Sequence, residues 1–332
     1  MASTAIVQTA FIGDVILASP LFEAARKNRP DDTIIAVVRK GCENILENNP
    51  FVDKIIVWDK YGSDKGIGGI FHIGKILREL NIYTALIPHR SLRTALALFL
   101  SGTKIRIGFS KGGGIFLHTV RVPYRFGIHE VERNLMLAGA SGWETDEFKP
   151  AIFPDDTDKK VIDKLVDGID TYCVFAPGSV WATKIWPVES YIKAGSVFAG
   201  RGMTVVISGG ESDGDICRTI AERVNGAVNA CGKLTLRQSA ELYRRAKFLL
   251  TGDTAPQHIA AAAGARVFSI FGPTVRDFGF WPYTDRGVVI EENMKCRPCG
   301  VHGHKTCPKG THACMESITY ERVVEIIDEV VN

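Results

Sequence analysis

The stretch TGDTAPQHIAAAAG, residues 251–264, follows an apolar run and sets Asp253, Thr254 and His258 around the start of a helix that Gly264 closes. Pro256 suits a first helical turn, where its missing N–H costs nothing. The free N–H groups of that turn, with the helix dipole, form an anion site. Thr254 adds a hydroxyl and His258 a ring. Asp253 would repel a phosphate, so it suits sugar hydroxyls or the orientation of neighbouring groups. A second turn, APGSVWATKIWPVESY, carries Ser179 and puts Lys184 between two tryptophans. Lys184 reads either as a cation for a diphosphate or as a solvated charge.

Near the start, FIGDVILASP places Asp14 after a strand and at the opening of a helix. A carboxylate there either complements the helix dipole or serves as a general base. The turn SGGESDGD offers Glu211 to sugar hydroxyls, while Asp213 and Asp215 read better as helix caps. HRSLR brings His89, Arg90 and Arg93 behind a strand. With Arg106 and Lys111 they would make a basic wall for an anionic, phosphorylated acceptor; spacing alone does not separate this from a solvated basic face. Cys296, Cys299, Cys307 and Cys314 gather within a few turns of chain, with His302, His304 and His312 among them. Zinc and reduced structural thiols both remain open readings, because the Cys-x6-Cys half departs from a tight ligand pair.

These residues need elements to hold them at strand ends. Short β-branched runs (AIVQTA, TIIAVV, KIIVW, TALIP, KIRIGF, then YCVFAP, MTVVIS, AVNAC, FLLTGD, RVFSIFG) alternate with helical stretches, which predicts parallel α/β sheets. The expected helices are Asp14–Lys27, His72–Leu80, Ser91–Leu100, His129–Ala140, Val188–Phe198, Asp213–Val224, Leu236–Ala246 and a final one from Thr319. The charged, proline-containing stretch 143–160 separates two strand series and reads as a linker. Ligands of such sheets lie outside the carboxyl ends of the strands. A length of 332 residues suits two domains. A net charge of +3 gives no reason to expect nucleic acid. The amino terminus lacks a basic signal-peptide region, no run of about 18 apolar residues occurs, and the thiols suit a reducing cytoplasm. The first strand-to-helix turn lacks G-x-G-x-x-G, which argues against a dehydrogenase.

Taken together, IGDVILASPLFEAARKNRP, NPFVDKII, HRSLRTALALFLSGTKIRIGF, PGSVWATKIWP and GDTAPQHIAAAAGARVFSIFGPT resemble the family-nine glycosyltransferases, the lipopolysaccharide heptosyltransferases. The PGSVWATKIWP wording is closer to the second heptosyltransferase of the pathway. The resemblance implies a GT-B fold, with two Rossmann-like doubly wound domains facing a central cleft. Residues 1–155 would bind the acceptor and 156–332 the nucleotide sugar. The latter would include the Cys-rich segment 296–314 and a final helix packing back on the first domain. It further implies an inverting, metal-independent transfer of heptose from ADP-heptose to an anionic lipid A–core acceptor. The enzyme would be cytoplasmic, with a peripheral contact to the inner membrane and no cofactor. Asp14 would be the base. Ser179, Lys184, Glu211, Leu234, Asp253, Thr254, Ala255 and His258 would hold the donor, and His89, Arg90 and Arg93 the acceptor. The alternatives are another nucleotide sugar, or a non-catalytic nucleotide-sugar-binding protein.

Overall fold

The computed structural model describes residues 3–145 and 148–331. Two compact units divide between Phe153 and Pro154. Of the expected linker, Asp146 and Glu147 lie outside the described residues.

The first unit holds strands β1 (Ser3–Gln8), β2 (Thr33–Arg39), β3 (Lys54–Trp58), β4 (Ile82–Ile87), β5 (Ile105–Phe109) and β6 (Val120–Val122). Its helices are α1 (Ile12–Ala18), α2 (Pro20–Asn28), α3 (Gly66–Glu79), α4 (Leu92–Leu100) and α5 (Glu130–Gly139). All neighbouring strands pair in parallel, in the order β3-β2-β1-β4-β5-β6. This is the doubly wound order, whose reversal at β1 and β4 opens a binding crevice. β1 is buried along its whole length, as its unbroken STAIVQ run requires between two helical layers. The expected helix Asp14–Lys27 is divided. Pro20 has no N–H to continue the ladder, so α1 ends at Ser19 and Pro20 opens α2.

The second unit repeats the topology. Its strands are β7 (Tyr172–Ala176), β8 (Thr204–Ile207), β9 (Val228–Asn229), β10 (Leu249–Gly252), β11 (Val267–Phe271) and β12 (Gly287–Glu291). They form a second parallel sheet, β12-β11-β10-β7-β8-β9. Its helices are α6 (Asp156–Leu165), α7 (Val188–Gly200), α8 (Gly214–Arg223), α9 (Leu236–Arg245), α10 (Ala255–Ala262), α11 (Ala313–Glu316) and α12 (Tyr320–Val331). The end of the expected linker is helical. Asp155 caps α6 by accepting from the Thr157 and Asp158 N–H groups, and the Asp158 carboxylate accepts from the Asp155 N–H. Neither β6 nor β12 is marked in the sequence; both are edge strands, VRV broken by Arg121 and GVVIE ending on Glu291.

The final helix, expected against the first unit, buries its apolar face in the second. Val323, Val324 and Ile327 join the core that holds Trp186, Tyr191 and Met315, and Asp328 accepts from Arg201 at 2.7 Å. Ile327→Ala removes a side chain that is 1% exposed. Such truncations cost about 2–5 kcal/mol. A urea titration should show the second unit's transition shifting by that amount; an unchanged transition would place the apolar face elsewhere.

Candidate active site

The second unit builds its site on a buried ion pair. Lys184 is the last residue of a 3-10 turn and Asp253 follows β10. The Lys184 Nζ donates to Asp253 Oδ2 at 2.7 Å and to the Asp253 carbonyl at 3.0 Å. Their side chains are 11% and 8% exposed. Thr274 donates to the same Oδ2 at 2.7 Å, and Gln257 Nε2 donates to Oδ1 at 2.8 Å. The Asp253 carboxylate thereby holds Lys184, Thr274 and Gln257 in place. A Cβ on Gly252 would sit 2.8 Å from the Lys184 carbonyl, so glycine is what lets the two turns meet.

Thr254 stands just before α10, which Ala255 opens with Pro256 in its first turn. The Thr254 hydroxyl lies 3.3 Å from Thr251 Oγ1 and does not cap the helix. His258 is buried on the first turn. Burial pushes its imidazole down to about 4, reinforced by Lys184 and opposed by Asp253, so the ring is neutral at pH 7. Its Nδ1 has no hydrogen-bond partner among the described residues.

The other expected donor residues lie on neighbouring turns of the same sheet. Ser179 accepts from the Trp181 N–H at 3.1 Å. Glu211 is exposed. Its turn is tied to the one carrying Leu234: the Gly232 N–H donates to the Gly209 carbonyl at 3.0 Å, and Cys231 Sγ donates to the Gly210 carbonyl at 3.1 Å. Asp213 caps its turn, accepting from the Gly210 N–H at 2.9 Å. Asp215 pairs with Arg218, and Asp156 with Lys159. The chain's two Asp-x-Asp triplets, Asp156-Thr157-Asp158 and Asp213-Gly214-Asp215, are thus engaged in caps and surface pairs.

Sequence reasoning did not find Gln257, Thr274 or the part played by the Cys-rich segment. That segment braces the Lys184 turn. Thr183 N–H and hydroxyl both donate to the His304 carbonyl, at 3.1 and 3.0 Å, and the His304 N–H donates to Thr183 Oγ1 at 2.8 Å. His312 Nε2 lies 3.0 Å from the Thr183 carbonyl. Arg297 donates to the carbonyl of Thr274 at 2.7 Å. The cysteines form no disulfide. The backbone N–H groups of His312 and Lys309, then Thr311 and Gly310, hold the Cys307 thiol below its ordinary range. Burial raises Cys299 and Cys314, and the neighbouring thiols add to this. Among the described residues no three His, Cys, Asp or Glu side chains are arranged to hold a metal ion.

In the first unit, Asp14 is the third residue of α1 and accepts from the Phe11 N–H at 3.1 Å through Oδ2. The capping reading is therefore present in the geometry, whatever else the carboxylate does. Near it lies a carboxyl the sequence did not single out. Glu130 opens α5, 5% exposed, with Arg133 Nε 2.8 Å away and the Tyr124 hydroxyl donating at 3.4 Å. Burial pushes Glu130 up to about 7; Arg133 opposes this and the Asp14 carboxylate reinforces it.

The expected basic wall is partly assembled. Arg90 is stacked 4.1 Å over the Tyr124 ring, and Lys111 approaches the same ring at 5.9 Å. His89 joins as a neutral ring, not a cation: burial, then Lys60 and Arg90, push it down to about 3. Its Nδ1 lies 2.8 Å from Thr9 Oγ1. Arg93 turns inward, donating to the Asp64 carbonyl at 3.0 Å. Arg106 does not join. It lies opposite Ala85, well before the end of β4, and its Nε donates to the Leu117 carbonyl at 2.7 Å. A further cation, Lys60, is buried beneath the wall. It donates to Thr9 Oγ1 at 2.5 Å and stands 4.3 Å over Trp58. Burial, then Arg93 and Arg39, bring it down to about 7.

Residues 70–309 match Glycosyltransferase family 9 (heptosyltransferase). The chain belongs to this family. It is a glycosyltransferase of α/β class with GT-B type units. It is 27% identical over 296 residues to lipopolysaccharide heptosyltransferase 3 of Escherichia coli K12, covering 82% of this chain and 83% of that one. It is 23% identical to lipooligosaccharide heptosyltransferase 2 of Haemophilus influenzae over 98% of both chains. Its fold is similar to that of E. coli ADP-heptose lps heptosyltransferase II, with a TM-score of 0.82, 22% identity, and 99% and 98% of the two chains covered.

Glu130 gives a pH test. The folded protein binds the Glu130 proton more tightly than the unfolded chain, whose carboxyl has the ordinary value of 4.5. The stability it contributes is full below that value and is lost as pH rises through about 7. The stability of the wild type minus that of Glu130→Gln, from urea midpoints, should therefore fall across this window. A flat difference would mean that Glu130 ionises as an ordinary surface acid.

Proposed function

We propose that this glycosyltransferase moves heptose from ADP-heptose to an anionic, lipid-linked lipopolysaccharide inner-core acceptor, with inversion at the anomeric carbon. The observation that carries the reading is the Lys184–Asp253 pair at the start of α10, fixed by Thr274 and Gln257. It sets an ammonium beside the N-terminus of a helix, two sources of positive potential for a departing diphosphate. The names of the relatives support heptose as the sugar and lipopolysaccharide as the acceptor.

In the reaction, an acceptor hydroxyl attacks the anomeric carbon on the face opposite the nucleotide. The bond to the diphosphate oxygen breaks and the electron pair leaves with ADP. Asp14 takes the hydroxyl proton. Lys184, Thr254 and the first turn of α10 stabilise the charge that grows on the diphosphate. Ser179, Ala255 and the neutral His258 contact the nucleotide, and Glu211 and Leu234 border its ribose and adenine. The Asp-x-Asp carboxylates that a metal-bound diphosphate would use are engaged in caps and surface pairs, which supports a metal-independent transfer. Arg90, with His89 and Arg93, receives the anionic acceptor, whose lipid anchor implies work at the inner face of the inner membrane. No helix among the described residues is long and apolar enough to cross a membrane.

Asp14→Asn can still accept from the Phe11 N–H, so fold and ADP affinity should persist. Turnover should fall by ~10²–10⁴, the usual contribution of a general base. Near-normal turnover would remove Asp14 from the chemistry.

The donor assignment is tested by melting and calorimetry. ADP at about a hundred times its dissociation constant should stabilise the fold by roughly 2.7 kcal/mol, while uridine sugars should not. Thr254→Ala and Lys184→Ala should each weaken ADP binding by ~1.5–3 kcal/mol. Lys184→Ala should also lower stability, since it leaves Asp253 buried without its cation. Unchanged ADP affinity in both variants would put the phosphates elsewhere.

A further inference from the structure

Residues 80–129 contain seven of the chain's 40 Lys and Arg residues and none of its 37 Asp and Glu. The rest of the chain is consequently net negative. This acid-free block forms one edge of the first sheet: β5, the edge strand β6, α4 and the loop between β5 and β6. Large apolar side chains stand out from the same edge. Leu92 and Phe99 on α4 are each 50% exposed, Phe116 is 73% exposed and Phe126 61%.

They belong to one surface. Gly113 lies so close to α4 that a Cβ there would be 3.1 Å from the Leu92 Cβ, which brings the loop carrying Phe116 alongside the helix. Arg106 links the lower end, with its guanidinium 5.6 Å from the Phe99 ring and its Nε on the Leu117 carbonyl. At the upper end Lys111 stands 4.3 Å from the Phe126 ring. Lys104 and Arg121 are exposed between them, and neither is ion-paired among the described residues.

We propose that this edge is a docking face for an anionic lipid bilayer, with Phe99, Phe116 and Phe126 entering the headgroup region and Lys104, Arg106 and Arg121 meeting lipid phosphates. Exposed aromatic side chains interleaved with unpaired cations are what an interfacial anchor requires: apolar area for the acyl boundary and positive charge for the surface potential. A protein partner would more usually be met by a face of mixed charge, and the absence of any carboxylate over fifty residues favours a surface of a single sign. The upper end of the face adjoins Arg90 and Lys111, which share the Tyr124 ring. Docking would hold the acceptor-binding residues next to the layer that carries a lipid-linked substrate. The proposal deepens the reading of the acceptor as lipid-linked and rests on it.

Flotation of the full chain with vesicles that contain no acceptor isolates the docking from the chemistry. The protein should float with phosphatidylcholine vesicles containing about a third phosphatidylglycerol, and not with phosphatidylcholine alone. Salt at about 1 M, where the Debye length is about 3 Å, should release it. Each cation near such a surface is worth roughly fivefold in partitioning, so Lys104→Glu with Arg121→Glu should lower the partition coefficient at least ~25-fold. Phe116→Ser with Phe99→Ser should weaken binding while leaving the melting temperature and ADP affinity unchanged. Retained ADP binding with lost flotation separates this proposal from the donor site. Equal binding to both kinds of vesicle, no flotation with either, or undiminished binding of the charge-reversed variant would overturn it. So would self-association of the wild type, abolished by Phe116→Ser, in place of vesicle binding.

Discussion

An ammonium and a carboxylate that are both nearly buried cannot each be tolerated alone. Removing either charge from water costs several kcal/mol unless the other compensates and hydrogen bonds satisfy what remains. In the second unit this constraint fixes the Lys184–Asp253 pair, and the rest of the site follows from it. Thr274 and Gln257 occupy the other acceptor positions of the carboxylate. Gly252 must lack a side chain so that the Lys184 carbonyl can approach. Trp186, fully buried with its Nε1 donating to the Ile318 carbonyl at 2.8 Å, anchors the turn from below. The Cys-rich segment closes over it from the side through Thr183 and His304. Four segments distant in sequence are held to one geometry by one pair of charges.

The first unit handles buried charge in another way. Lys60 has hydroxyls for neighbours and no carboxylate: Thr9 at 2.5 Å and Thr94 at 3.3 Å. Arg93 and Arg39 lie close enough to disfavour its proton. Where no counter-charge is available, desolvation and like-charge repulsion lower the affinity for the proton instead. His89, bonded to the same Thr9 hydroxyl, is neutral for the same reasons. On the Asp14 side the signs reverse. Glu130 is buried near a second carboxylate and holds its proton to about 7. The Arg133 guanidinium beside it opposes this without cancelling the effect of burial.

Much of this was legible before the fold was known. The alternation of apolar runs and amphipathic stretches identified two series of βα units, and glycines, prolines and polar residues just after each run marked the turns that carry chemistry. Asp14, Lys184, Asp253, Thr254 and His258 were all found because they stand at those turns. Gln257 was not, since an amide inside a helix has no local signal of a role; Thr274 stands at such a turn, but its part shows only in its bond to Asp253. Glu130 was missed because its first-turn position reads as ordinary helix-dipole chemistry. Arg106 was wrongly joined to Arg90, because residues close in a list of cations can point to opposite ends of a strand.

The sequence by itself determined the periodicities, the turn chemistry and therefore the parallel α/β class of each sheet, because these depend on steric and hydrogen-bonding preferences spanning only a few residues. It also determined which side chains could bear charge at the strand ends. Tertiary structure alone decided which of those charges meet. Lys184 and Asp253 are separated by three helices and three strands, Thr274 by a further helix and strand, and His304 by β12 and an irregular loop. Whether a buried group is paired, neutralised or left to solvent depends on the dielectric and on the partners around it, and those are properties of the packed chain.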